Sequence, residues 1–125
     1  MKKTKVTLRT GSTEDFFNRL RERAKKLDRG ETLPPGITIT FEAPEDLLEV
    51  LTSERVRLLR RVKEKSLQIS VLATGLKRDV RAVSRDVSLL EKAGLLRTSY
   101  QSNPGHGRLK MVESVAQEYK LVANL

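Results

Sequence analysis

"LKRDVRAVSRDVSLLEKAGLL", Leu76 to Leu96, carries the triplet Arg-Asp-Val twice, at Arg78-Asp79-Val80 and Arg85-Asp86-Val87. The second copy follows the first by seven residues, about two turns of an α-helix, so the repeated positions return to within about 20° of one another. Stepping about 100° per residue from Val80 gathers Val80, Val83, Val87 and Leu90 in one arc. Arg81, Arg85, Ser88 and Lys92 gather on the opposite side, with Ser84 between the two groups. The first arc is a core face; the second is a basic stripe with small hydroxyls between long side chains.

The two aspartates of the repeat have different expected roles. Asp79 stands where an N-cap belongs, and Gly94 is a suitable stop, which predicts a helix from Val80 to about Ala93. Asp86 falls mid-helix beside the buried arc, with only Ala82, Val83, Leu89 and Leu90 at the i±3 and i±4 positions. Its counter-charge must come from another element, and an arginine of the segment 53–63 is the expected donor.

Upstream, "LQISVLATGL" predicts a two-turn helix with Val71, Leu72 and Leu76 on its apolar side, ending near Gly75, with Gln68 at its cap position. Before that, a helix beginning after Thr52 or Ser53 has Val56, Leu58, Leu59 and Val62 inward and Arg55, Arg57, Arg60 and Arg61 at its wet edge. Downstream, "LLRTSYQ" and "RLKMVESV" flank "SNPGHG", a loop composition that predicts a hairpin. The final "YKLVANL" suits either a closing strand or a helix.

Further toward the start, "ITITFEA" alternates Ile37, Ile39 and Phe41 and predicts a strand, followed by a short helix from Pro44. "KVTLR" predicts another strand. Ser12 and Asp15 have capping-box spacing ahead of a helix carrying Phe16, Phe17, Leu20, Ala24 and Leu27. "DRGETLPPG", Asp28 to Gly36, stops that helix and is expected to end an N-terminal arm over residues 1–36, leaving 37–125 as the main domain.

The net charge of +9 is unevenly distributed. Residues 1–36 hold 10 Lys and Arg against 5 Asp and Glu, 37–52 hold none against 4, 53–99 hold 12 against 5, and 100–125 hold 3 against 2. The surpluses are +5, −4, +7 and +1, and the basic middle suits a large anion such as nucleic acid. The order of helix, short turn, helix with an outward basic face, then hairpin is that of a winged helix-turn-helix, an α+β fold, here with an N-terminal strand-helix arm.

With these residues in view, "LATGLKRDVRAVSRDVSLLEKAGLL" resembles the helix-turn-helix core of MarR-like winged-helix regulators. More narrowly it is similar to the DNA-binding TumA-type antitoxins that pair with small toxins. The resemblance covers roughly residues 46 to 112 and is carried by Leu72-Ala73, Arg78-Asp79, Arg85-Asp86-Val87 and Leu90 to Leu95. It implies a sequence-specific double-stranded DNA-binding transcriptional regulator acting as an autorepressing antitoxin of a toxin–antitoxin pair. It also implies base contacts from Arg81, Ser84 and Arg85, backbone contacts from Lys77, Arg78, Ser88 and Lys92, and wing contacts from Asn103, His106 and Arg108. Such regulators bind as two-fold dimers, so a homodimer is expected, with the arm as dimer or partner contact; a cognate toxin is the further expected partner.

Other chemistries find little support. His106 is the only histidine and there is no cysteine, which argues against a zinc site and a disulfide framework and fits a reducing cytoplasm. No serine has a histidine base in sequence context. The pairs Glu14-Asp15 and Glu45-Asp46 fall at predicted helix starts, where the macrodipole favours carboxylates. No enzyme, no metal, no cofactor and no membrane association are expected. The alternative is a protein-interaction module whose basic surface meets an acidic partner rather than DNA; a small basic ribonuclease using His106 is a more distant one.

Overall fold

The computed structural model describes residues 4–33 and 35–125, and the chain divides into two compact units, Met1–Glu49 with Glu118–Leu125, and Val50–Gln117. The boundary expected between residues 36 and 37 therefore falls elsewhere. Strand β1 (Lys5–Thr10) pairs in parallel with both β2 (Ile37–Phe41) and β6 (Glu118–Val122), so the "ITITFEA" strand and the chain's end join the arm. Parallel partners need long crossovers and leave no turn signature in the sequence. The ambiguous tail resolves as strand β6 for the same reason.

In the first unit, Leu8 pairs with Ile39 on one side and Leu121 on the other, while Arg9 pairs with Thr40 and Val122. Because strand side chains alternate faces, Val6, Leu8, Ile37, Ile39 and Leu121 share one face, and Thr7, Arg9, Thr38 and Thr40 the other. Helix α1 (Thr13–Asp28) connects β1 to β2. It begins with the expected capping box: Ser12 Oγ accepts from the Asp15 N–H at 3.1 Å and Asp15 Oδ2 accepts from the Ser12 N–H at 3.3 Å. It ends at Asp28 with Gly30 at φ 77°, well before Pro35; Pro34 lies outside the described residues. Helix α2 (Pro44–Val50) opens on a proline and two acids, as its first turn favours.

The second unit is a winged helix-turn-helix. Its elements in order are α3 (Ser53–Val62), β3 (Leu67–Gln68), α4 (Ile69–Leu76), α5 (Val80–Lys92), β4 (Leu96–Asn103) and β5 (Gly107–Ser114). The strands form an antiparallel sheet in the order β3-β5-β4. Buried Leu58, Leu59 and Val62 from α3, Leu72, Ala73 and Leu76 from α4, and Val83, Val87 and Leu90 from α5 supply the helical core, with Leu95, Leu96 and Val112 from the sheet side. Each fully buried side chain of this kind contributes about 1.5–3 kcal/mol.

Two expected core positions are not in it. Val80 is 42% exposed, because as the first residue of α5 it precedes the turn that packs; Val71 is 53% exposed on the outer side of α4. Glycine also fixes a close approach: a Cβ on Gly75 would stand 3.1 Å from Arg61 Nη1, and Arg61 Nη2 donates to the Gly75 carbonyl at 2.9 Å. A side chain at residue 75 would require the Arg61 guanidinium to shift by a few tenths of an ångström.

Candidate nucleic-acid interface

The helix-turn-helix is set by a tight reversal between α4 and α5. Helix α4 ends at Leu76 and Lys77 takes the left-handed conformation, φ 55° and ψ 46°, while the N–H groups of Lys77 and Arg78 return to the carbonyls of Thr74 and Ala73. Glycine usually fills such a position; here an exposed lysine takes it. Asp79 has the extended N-cap backbone and its carbonyl accepts from the Val83 N–H at 3.1 Å, but its carboxylate makes no cap hydrogen bond. The expected capping role thus belongs to the Asp79 backbone rather than its side chain.

Asp86 is the buried acid of the repeat, and its counter-charge is the one expected. Arg55 of α3 donates through Nε to Asp86 Oδ1 at 3.0 Å, and Arg78 donates through Nη1 to Oδ2 at 2.7 Å. Arg78 Nε also stands 3.6 Å from Glu54, and Thr52 caps α3 by accepting from the Arg55 N–H. One carboxylate therefore ties together the start of α3, the turn before α5 and the middle of α5. Side-chain exposures of 12–21% for Asp86, Arg55 and Arg78 mark these as desolvated charges that must stay paired.

Arg55, expected at a wet edge, instead turns inward to Asp86, and Arg78, expected on the DNA backbone, is also paired with that carboxylate. The wheel cannot reveal this for Arg78, which lies in the turn before α5 begins.

The remaining members of the stripe are placed as α5 geometry requires. Arg81, Arg85, Ser88 and Lys92 are exposed and Ser84 is half-buried at the margin. Ser84, Arg85, Ser88, Leu89 and Lys92 line one shallow groove. Arg81, Arg85, Lys92 and the exposed Lys77 make no ion pair among the described residues. Their charge is thus available to an external anion, in contrast to the inward arginines.

The hairpin of β4 and β5 is the wing. Asn103 pairs with Gly107 across a turn in which the His106 N–H returns to the Asn103 carbonyl at 2.8 Å; Gly105 and Gly107 both have φ 81°. His106 and Arg108 are exposed near the tip, and Asn103 is half-buried. Two further features lie outside the sequence-based expectation. Tyr100, 60% exposed, sits on β4 in register with Lys110. Glu91 on α5 accepts from the N–H and the hydroxyl of Thr98 at 2.9 and 2.7 Å, fixing the wing's base to α5. A tyrosine in a strand reads as ordinary β composition, and a helix-to-strand carboxylate contact has no sequence period.

The charge follows this division: residues 50–117 hold 14 Lys and Arg against 6 Asp and Glu, whereas 1–49 with 118–125 hold 11 against 10. Among the described residues no three or more His, Cys, Asp or Glu side chains gather as metal ligands, and no helix is long and apolar enough to cross a membrane.

Fold and exposed face together define a winged helix-turn-helix protein with a basic second helix. The family model HVO_A0114 matches residues 50–116, nearly the whole second unit, and the chain belongs to that family. Among solved structures, a possible transcriptional regulator from Methanosarcina mazei is 21% identical over 62% of this chain and 68% of its own, with a TM-score of 0.51. Reduced HlyU from Vibrio cholerae is 14% identical over 78% and 80%, with a TM-score of 0.48. Lactococcus lactis ZitR, solved as a cysteine-to-serine mutant in complex with DNA, is 15% identical over 83% and 66%, with a TM-score of 0.47. No curated protein sequence matches.

Proposed function

We propose that this protein is a transcriptional regulator that binds double-stranded DNA, with α5 in the major groove and the hairpin wing against the flanking backbone. The observation that carries this reading is the division of the arginines. Arg55 and Arg78 are consumed by Asp86 to hold α5, while Arg81 and Arg85 stand outward without an ion pair among the described residues. In this reading Arg81, Ser84 and Arg85 contact base edges, where an arginine can bond two acceptors of guanine. Lys77, Ser88 and Lys92 contact phosphate, as do Asn103, His106 and Arg108 at the wing; Arg78 acts through Asp86 instead. Gel shifts on the DNA upstream of the chain's own gene test it. The double variant Arg81→Ala/Arg85→Ala is expected to lose about 100-fold or more in affinity with an unchanged thermal midpoint, since each good bidentate pair contributes about 1–3 kcal/mol. Undiminished binding by that variant sinks the reading.

The protein acts in this proposal as a homodimer, because one short recognition helix gains affinity by presenting two copies to a two-fold site. The contact is the stripe of Phe17, Leu20, Ala24 and Leu27 on α1, in which the large apolar members remain 45–56% exposed. Light scattering on Leu20→Glu is expected to return a monomer mass; a dimer mass removes α1 from the interface. The finer role, an autorepressing antitoxin, rests on the resemblance of residues 46–112, and co-purification with the product of the adjacent gene tests it. A basic surface that meets an acidic protein instead would show as binding that survives nuclease treatment but not loss of Arg81 and Arg85.

A further inference from the structure

The first unit contains a layer of unusual chemistry. A helix that crosses between parallel strands normally buries apolar side chains on the sheet. Here α1 buries none, and the groove along it is lined on the sheet side by Arg9, Thr38 and Thr40 and on the helix side by Arg19, Arg23 and Lys26. Arg19, Arg23 and Lys26 recur at i, i+4 and i+7, one side of the helix. Four cations thus meet in one concavity of about 470 Å³, with Glu22 as the only carboxylate lining it among the described residues, and Glu22 is already 3.5 Å from Lys25.

Two details indicate that the concavity lacks an acceptor. Arg9 Nε is buried with no hydrogen-bond partner among the described residues, a donor whose desolvation goes uncompensated. Arg19 Nη2 donates to Thr40 Oγ1 at 2.9 Å, which leaves the Thr40 hydroxyl proton free to donate in turn. Arg9 and Thr40 are register partners one residue short of the carboxyl ends of β1 and β2, the edge of a parallel sheet where ligands bind. The size falls within the range of about 300–1,000 Å³ common to small-molecule sites.

We infer that this groove binds a small molecule bearing two or more negative charges on phosphate. Arg9, Arg19 and Arg23 hold the anion by charge-assisted hydrogen bonds, Thr38 and Thr40 donate hydroxyls, and Phe16 offers an apolar wall to the rest of a phosphate ester. The capping carboxylate of α1, Asp15, and the first-turn acid Glu14 are not among the residues lining the groove.

Titration calorimetry of the full chain with inorganic pyrophosphate at low salt tests this. One site per chain is expected, and Arg9→Met and Arg23→Met should each weaken binding about tenfold or more, the effect of losing a charged hydrogen bond. Circular dichroism checks both variants, and Arg23, exposed on the helix, serves if Arg9→Met does not fold. Arg81→Ala/Arg85→Ala should bind pyrophosphate as the parent does, so the outcome is independent of whether α5 reads DNA. Absence of pyrophosphate binding, or binding unchanged in Arg23→Met, overturns the inference. So does a loss in Arg23→Met of duplex-DNA affinity as large as its loss of pyrophosphate affinity, which would mark the groove as a nucleic-acid backbone surface.

Discussion

Helices α1 and α5 look alike on a helical wheel. Each sets aliphatic or aromatic residues along one side and arginines and lysines along another, and each follows an N-cap position held by Ser12 or Asp79. In the fold they differ completely. Val83, Val87 and Leu90 of α5 are fully buried, whereas Phe16, Phe17, Leu20 and Leu27 of α1 keep 39–56% of their surface. Amphipathicity says that a face needs cover, not that the chain provides it. The cations divide the other way: Arg81, Arg85 and Lys92 of α5 are exposed and make no ion pair among the described residues, and Arg19, Arg23 and Lys26 of α1 line a groove against threonines and Arg9.

That contrast can be broken most directly by truncation. Leu90→Ala is expected to cost about 2–5 kcal/mol of unfolding free energy in denaturant, whereas Leu20→Ala should stay within about 0.5 kcal/mol when the chain is dilute enough to be monomeric. Equal losses would mean that α1 is as well packed as α5.

A smaller but sharper effect concerns charge. Asp86→Ala leaves Arg55 and Arg78 facing each other without their shared carboxylate, for a loss of about 3 kcal/mol in the same measurement. Its exposed neighbour in the repeat, Asp79→Ala, should change stability by no more than about 0.5 kcal/mol, because the Asp79 carboxylate caps nothing. If Asp79 costs more than Asp86, the network is not what holds α5.

Salt dependence separates the cations of the two helices. Lys92→Ala should reduce the slope of log affinity for duplex DNA against log salt by about 1, and Lys26→Ala should leave it unchanged. A reduced slope in Lys26→Ala would extend the DNA surface to α1.

The smallest expected effect is conformational. Lys77→Gly relieves a non-glycine residue at φ 55° and should raise stability by up to about 1 kcal/mol, while Gly30→Ala, at φ 77° after α1, should lower it by a similar amount. Thermal unfolding of the two variants reads both signs.

Much of the second unit is legible in the sequence because its signals are local. Heptad spacing places Val83, Val87 and Leu90 inward and Arg81, Arg85 and Lys92 outward; an acid without a helical partner demands one from another element, and Arg55 supplies it. The turn "SNPGHG" announces the wing. Val80 and Val71 depart from their expected burial because a wheel has no ends and does not know which side another helix occupies. The pairing of Arg78 with Asp86 is not legible, because two arginines converge on one carboxylate and a sequence count cannot show the second.

The amino-acid order by itself determined the helices, the capping box of α1 and the outward basic stripe, since those depend on periods of a few residues and on side chains that bond their own backbone. Tertiary structure alone decided that β2 and β6 flank β1, that Asp86 fastens two arginines, and that α1 lies along a polar sheet face. Parallel pairing and buried charge networks join residues dozens of positions apart, and their energies depend on distance and desolvation, which no local pattern encodes.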